Sequence, residues 1–436
     1  MDFRGEQIIL INKVKSFFKN SKKNFFYYQN SHLYYFLSHG ENSGNALINL
    51  WEKNISSFLF FLKVLFKKFY NLLFDKIYDI KMNKNLNIKN YKNLVITWGF
   101  KNSFKKNNLF YDKYFNTTSK KDILWIIVYL DKNFPKKIPD NCILFYLKKK
   151  KKNFCNIKKI IEILKVLFSK EYLYSLYWND DFAEKFCNKI LPFFNNSNFQ
   201  RLLIPYEGQP FQNLVIKKIK KINKSIRVIG YIHTYPAALP INYIYKQGSP
   251  DYLILNSTIQ YKCFYKHLGW KKSKLKILPS ARFQKIKKNM KKKIFLPYSI
   301  MSKKKFFKNY NYILKLKKFD FLKFLTIVNH PAQKNSKKHI LIEKKLKQNF
   351  INNNNNKIKS SIFFGATSAP LEAICRGVES FHVSDNPIKE IYSNKIYPGI
   401  QSKKIANNIY KYENNKKIYL FGKKSIFNKY LNLSLR

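Results

Sequence analysis

The sequence predicts the α/β class, with two successive domains of parallel sheet behind a helical N-terminal extension. Three observations predict it. From about Lys92 onward, short runs that are apolar on both faces alternate with amphipathic stretches, which is how strands of a sheet covered on both sides read. The alternation restarts after a lysine-rich stretch at 281–300, ARFQKIKKNMKKKIFLPYSI, which marks a domain boundary. The chain, at 436 residues, is too long for one ordinary core. Two such domains, 91–285 and 286–436, with a C-terminal part able to cross back, suggest two facing Rossmann-like domains with a cleft between them. Ligands of such sheets sit beyond the carboxyl ends of the strands.

Taken in order, residues 1–90 read as helical, basic and amphipathic. The segment ISSFLFFLKVLFKKFYNLLFDKIYDI, 55–80, places Lys63, Lys67, Lys68 and Lys76 roughly on one side of a 3.6-residue period. It reads either as a core helix with a solvated lysine face or as a helix lying in a membrane interface. In the first domain the expected strands are 93–99, 122–130, 141–147, 201–206, 226–232, 251–256 and 275–279, with helices at 157–169, 211–222 and 258–268. In the second they are 294–298, 324–330, 361–365 and 379–383, with helices near 303–317, 338–349 and 370–376 and a helical C-terminal region. INNNNNK, 351–357, reads as a low-complexity surface loop.

The formal net charge is +60, from 84 Lys+Arg against 24 Asp+Glu. Lys, Asn, Ile, Phe and Tyr are abundant together while Gly and Pro are scarce, the pattern of codons drifting toward A and T. Such drift spreads lysine over any tolerant surface. An anionic membrane surface is the next explanation. A nucleic-acid partner is not expected, since the aromatic spacing of single-strand RNA modules is absent. The cysteines at 142, 155, 187, 263 and 375 form no CxxC pair and read as reduced buried thiols, with neither a disulfide frame nor a zinc site. MDFRGEQIILINKVK lacks the long apolar core of a signal peptide, and no run reaches ~18 apolar residues. A cytoplasmic protein is expected, peripheral on the inner face of a membrane if the N-terminal helices bind lipid.

Four strand ends carry residues suited to chemistry. In SIFFGATSAPLEAICRGVESFHV, 361–383, Gly365 allows a tight exit from a strand, Pro370 suits the first helical position and Glu372 faces the helix N-terminus. The N–H groups there and the hydroxyls of Thr367 and Ser368, beside Ala369, suit a phosphate; the plainer alternative is a capped crossover helix. In FLTIVNHP, 324–331, His330 sits just past a strand, where it can bond or protonate a phosphate or simply occupy a turn. In IPYEGQPFQNL, 204–214, Glu207 and Gly208 follow a strand. A carboxylate there can serve as general base or merely face a helix dipole. In GYIHTYPAALP, 230–240, His233 and Thr234 either contact substrate or pin the loop.

Weaker candidates are Trp98 and Gly99 in WGFKNSF, 98–104, and the polar stretch SHGENSGN, 38–45. Asp180 and Asp181 are adjacent and form no DxD. No metal-ligand pattern, GxxxxGK[ST], GxSxG or GxGxxG occurs, so ATPase, α/β-hydrolase and ordinary dinucleotide readings lose support.

Together these motifs resemble glycosyltransferases of the GT-B fold from bacterial surface-carbohydrate biosynthesis. TSAPLEAICRGVESF looks like their C-terminal-domain signature, NHP like the His-Pro motif of the sialyltransferase-like members, with TS in place of the Ser/Thr motif, and YEG like their acidic motif. The resemblance covers about residues 92–400. It departs at Tyr206, where many members carry another acid, and at Val378-Glu379, which replaces Val-Pro. It implies an acceptor domain at 91–285 and a nucleotide-sugar domain at 286–436. It further implies a metal-independent transfer without cofactor, from a nucleotide sugar such as a CMP-linked one to a surface-glycan or lipid-linked acceptor. Glu207 would be the base and His330 would stabilise the departing phosphate. Gly365, Thr367, Ser368, Ala369 and Glu372 would bind the donor, and Trp98, Gly99, Gly208, His233 and Thr234 would contact acceptor or donor. The alternatives are a nucleotide-sugar epimerase of the same fold and a noncatalytic basic protein binding membranes or nucleic acid.

Overall fold

The computed structural model describes residues 2–20, 74–105, 109–120, 122–152, 180–195, 197–284, 293–297, 303–329, 333, 336–348, 360–413, 420–422 and 426–433. The chain is of mixed α/β class, built on two large sheets rich in parallel strands.

The first sheet holds β1 (Phe74–Met82), β2 (Asn93–Gly99), β3 (Ile123–Tyr129), β4 (Cys142–Lys152), β5 (Arg201–Pro205), β6 (Arg227–Tyr231), β7 (Tyr252–Leu255) and β8 (Leu275–Ile277). Their spatial order is β1-β4-β3-β2-β5-β6-β7-β8, parallel throughout except for the edge pair β1–β4. Succession therefore runs outward from β2 through β4 on one side, with β1 added antiparallel at that edge, and from β5 through β8 on the other, and reverses between β2 and β5. There the two strands pair only over Asn93–Val95 with Arg201–Leu203, whereas β2 stays paired with β3 through Gly99. The ladder between β2 and β5 ends early, and a crevice at such a reversal is where open sheets receive ligands.

The double-sided apolarity read from sequence has a direct cause. Every residue of β3 is buried. Leu94, Ile96, Leu124 and Ile126 face one core together with helices α2 (Asp180–Ile190), α3 (Pro210–Ile222) and α4 (Thr258–His267). Val95, Trp125 and Ile127 face a second core, closed by Phe110 and Phe115 and by the C-terminal helix Phe427–Leu431. Each fully buried Leu, Ile or Phe contributes roughly 1.5–3 kcal/mol.

The second sheet holds β9 (Lys293–Phe295), β10 (Thr326–Val328), β11 (Ser360–Phe364), β12 (Glu379–Val383), β13 (Ser402–Ala406) and β14 (Ile409–Tyr412), in the order β10-β9-β11-β12-β14-β13. The first four strands in that order are parallel; β12–β14 and β13–β14 are antiparallel.

The two sheets share a packed interface. Tyr392 and Tyr397 donate hydroxyl hydrogen bonds of 2.7 Å to the carbonyls of Pro236 and Ala237. Helix α1 (Phe3–Asn20) spans the junction: Leu10, Ile11 and Val14 are buried in the first core. Gln7, fully buried, donates to the carbonyls of Ile388 and Ile391 and accepts from Ser393. Residues 421–422 pair in parallel with the strand Ser280–Gln284 as a separate two-stranded sheet, and the helix Phe427–Leu431 that follows packs against the first sheet.

Two expectations change. Residues 74–80 are not the end of a helix over 55–80 but the start of β1; the rest of that segment lies outside the described residues. Tyr78, Ile80 and Met82 alternate with Asp79 and Lys81, and this two-residue period wins because Tyr78 stacks on Phe145 at 5.1 Å. The C-terminal region is not all helical, since 402–412 is a hairpin. Its turn is Asn407-Asn408, with Asn408 at φ 59°, the left-handed backbone that asparagine tolerates best among non-glycine residues. The expected helix at 157–169, the stretches 38–45 and 351–357, and Cys155 also lie outside the described residues. Cys142, Cys187, Cys263 and Cys375 are free and buried. No helix among the described residues is long and apolar enough to cross a membrane.

Candidate functional site

The carboxyl ends of β5 and β6 bring Glu207 and His233 together. The two strands pair in register up to Pro205–Tyr231, so residues two positions beyond each end share one rim. His233 Nε2 lies 3.0 Å from Glu207 Oε1, and Gln209 donates to Oε2. The Glu207 side chain keeps 31% of its surface exposed while the His233 side chain keeps 1%. His233 therefore sits behind the carboxylate, and the carboxylate faces outward.

The turn that holds Glu207 explains the run EGQPFQN. Gln212, on the first turn of α3, accepts from the N–H groups of Glu207 and Gln209 and donates to the Pro205 carbonyl. Asn213 accepts from the Tyr206 hydroxyl and donates to the Gly208 carbonyl. Asn242 donates to the Glu207 carbonyl. Both Gln212 and Asn213 are fully buried. Gly208 has φ +67°, and a Cβ on it would stand 2.2 Å from the Asn242 carbonyl oxygen. Gly208→Ala should thus cost about 2 kcal/mol or more. An unchanged urea midpoint would show that the turn yields freely.

The wall behind His233 is aromatic. Tyr114 meets its ring edge-on at 4.5 Å, with Trp98 at 6.1 Å and Tyr231 at 6.5 Å. Tyr114 is placed by Asp112, a fully buried carboxylate that accepts from the N–H groups of Tyr114 and Phe115 and from the Thr97 hydroxyl. Burial raises the Asp112 carboxyl to about 6 against those three donors. Gly99 has a packing role, because a Cβ there would meet Ile127 at 2.6 Å. Thr234, half-buried, is next to Tyr243.

The charge states follow. Partial burial alone would raise the Glu207 carboxyl, but the His233 ring, then the Gln209 amide and Arg282, more than offset it and hold it below its ordinary value. Burial pushes His233 down, and the carboxylate restores only part of that. At neutral pH the pair is a carboxylate beside a neutral imidazole. Since the carboxylate only accepts, the proton is on Nε2. Nδ1 is buried without a hydrogen-bond partner.

A second locus lies at the carboxyl ends of β9 and β11. Gly365 has φ +62° and packs a virtual Cβ at 3.2 Å from Pro297. Its carbonyl accepts from His382 Nε2 at 2.7 Å, and His382 Nδ1 lies 3.0 Å from the Tyr412 hydroxyl. Thr367 Oγ1 accepts from the Ala369 N–H, and Ser368 makes no side-chain cap bond to the helix Ala369–Cys375. Arg376 binds Glu372 Oε1 through both Nε and Nη2, at 3.0 and 2.7 Å. His330 lies outside the described residues. The two loci adjoin: Tyr235, two residues past His233, contacts Cys375 on that helix.

Sequence reasoning missed Asp112, Tyr114, Gln212, Asn213, Asn242, Arg282 and His382. Two of these carried a local signal, because Gln212 and Asn213 are amides on the otherwise apolar, buried side of a helix whose lysines lie at 217, 218, 220 and 221. A hollow of about 810 Å³ lined by Lys81, Tyr91, Lys137 and Asp140 opens at the opposite, amino edge of the first sheet. Among the described residues no group of three or more His, Cys, Asp or Glu side chains is arranged to hold a metal ion. Compared with known proteins, the chain matches no family model, no curated protein and no solved structure.

Proposed function

We propose that the chain is a glycosyltransferase of two facing Rossmann-like domains, moving a sugar from a nucleotide-activated donor to a hydroxyl of a glycan or lipid-linked acceptor. The observation that carries this reading is the outward-facing Glu207 carboxylate. It is ionised, held on both oxygens, and set beside the strand-order reversal of the first sheet. A base for a hydroxyl needs this combination of fixed geometry, an open edge and a free lone pair.

In the proposed step Glu207 takes the acceptor hydroxyl's proton as that oxygen bonds to the anomeric carbon. The bond from that carbon to the donor phosphate breaks, and the electron pair leaves with the nucleotide. Stabilisation of the departing phosphate falls to the loop Gly365–Ala369, with the hydroxyls of Thr367 and Ser368, and to His330, which lies outside the described residues. Glu372, held by Arg376, lies beside the donor's ribose or sugar. The contact of Tyr235 with Cys375 supports placing acceptor and donor loci against each other.

A thermal-shift screen against CMP, CDP, UDP, GDP and ADP, in salt high enough to suppress nonspecific anion binding, tests this reading. The expected result is stabilisation selective for one base, about 2.7 kcal/mol at a hundredfold excess over Kd, and lost in His330→Ala and Ser368→Ala. Equal small shifts with every nucleotide, or none, would overturn it in favour of a noncatalytic basic protein.

A further inference from the structure

We propose that Arg282 is the anion-binding residue of the Glu207 site, and that the molecule lying against Glu207 carries a phosphate or carboxylate. This deepens the transferase reading and rests on it for the chemistry, though not for the binding.

Only six of the 84 basic residues are arginine, so in this chain a guanidinium is the unusual choice where any cation would serve. Arg282 is fixed at both ends. Its backbone N–H donates to the hydroxyl of Tyr231, a fully buried residue at the end of the strand that leads to His233, as does the N–H of Ala281. Its guanidinium stands over the Tyr114 ring at 5.6 Å and the Phe283 ring at 5.2 Å. Tyr114 is the ring that meets His233 edge-on, and His233 bonds Glu207. Arg282, Tyr114, His233 and Glu207 are therefore one contiguous set, drawn from four separate segments.

Arg282 is exposed, and among the described residues no carboxylate lies within ion-pair distance of it. Most lysines here share that state, so it alone decides nothing. What sets Arg282 apart is a planar, five-donor fork already stacked and oriented, which loses little freedom when it grips a carboxylate or phosphate through two bonds. The cation also bears on the whole set, favouring the charged forms of Glu207 and Asp112 and opposing a charge on His233. An incoming anion is repelled by the Glu207 carboxylate. The fitting ligand therefore presents a hydroxyl to Glu207 and its anion, further along, to Arg282. That group is either an anionic substituent of the acceptor or a phosphate of the donor.

Calorimetric titrations of the full chain with glucose 6-phosphate and, separately, CMP in 0.3 M salt distinguish these sources. The variants are Arg282→Gln, Arg282→Lys and the control Arg227→Gln, which removes an exposed arginine at the far end of β6. We expect Arg282→Gln to weaken at least one ligand by tenfold or more, Arg282→Lys to weaken it less, and Arg227→Gln to leave both unchanged. Selective loss of the sugar phosphate assigns the anion to the acceptor, and selective loss of CMP to the donor. If Arg282→Gln melts early, Arg282→Lys alone carries the comparison. Wild-type failure to bind either ligand, equal binding by all variants, or an equal loss in Arg227→Gln overturns the assignment. Arg282-dependent binding without any sugar transfer sinks the transferase reading and leaves the anion site standing.

Discussion

Glu207→Gln should lower turnover by about 10²–10⁴-fold, the range that general-base help supplies, while the protein still folds, with a stability loss of no more than about 1–3 kcal/mol. The shape of the side chain is kept, and so are the bonds that hold the turn, because Gln212, Asn213 and Asn242 bind backbone groups or each other's neighbours rather than the carboxylate. The amide has one oxygen where the carboxylate had two, and two donors now face it, Gln209 Nε2 and His233 Nε2. His233 can resolve the conflict by moving its proton to Nδ1 and accepting from the new NH2 group. That leaves a buried Nδ1–H without a partner, a cost of about 1–3 kcal/mol. The measurement is kcat on a transferred sugar alongside a thermal melt. Turnover within a few fold of wild type would remove Glu207 from the role of base, whatever the melt shows.

The pair was partly legible before the fold was known. Glu207 and His233 each directly follow an apolar run, and parallel neighbours carry such positions to one rim. What the motif could not show is that the two runs are adjacent strands, because adjacency is set by the order β2-β5-β6 and not by spacing along the chain. Arg282 was further out of reach. It arrives through the pairing of Ser280–Gln284 with residues 421–422, a contact between segments some 140 residues apart with no local signature. Asp112 and Tyr114 belong to a short hairpin whose turn is organised by the Asp112 side chain itself, a pattern that a search for apolar periodicity passes over.

The same distinction explains the fold. Strands buried on both faces, such as β2, β3 and β12, declare themselves by composition, since lysine is tolerated on neither side. Edge elements do not. β1 and the hairpin β13–β14 carry lysine on their open side, and lysine at one in three or four positions imitates a helix. In a chain drifting toward lysine, the loss of signal is greatest where one face meets water.

His382 should make stability fall as pH drops from about 6.5 to about 4. It is fully buried in β12. Its Nε2–H donates to the Gly365 carbonyl, because a carbonyl only accepts. Nδ1 then accepts from the Tyr412 hydroxyl, whose oxygen in turn accepts from the Tyr392 N–H. Both ring nitrogens are satisfied only in the neutral form. Burial pushes the ring down to about 4 in spite of the Gly365 carbonyl, which favours the cation. The unfolded chain takes up its proton near 6.5. Between those values the unfolded state binds one more proton than the folded state, so acid favours unfolding there and adds nothing further below about 4. The shift corresponds to roughly 3 kcal/mol over the full window and roughly 2 kcal/mol between pH 7 and pH 5. Urea unfolding of wild type and His382→Gln at both pH values isolates this contribution. Titration of Glu390, which faces Tyr412, and of His233, Asp79 and Glu379 elsewhere, is common to the two proteins and cancels. The variant should be less stable at pH 7, with most of the gap closed at pH 5. A gap that stays constant would mean that the ring takes up its proton as readily in the folded state as in the unfolded one. It could not then be the neutral clamp that fixes the Gly365 carbonyl at the mouth of the second locus.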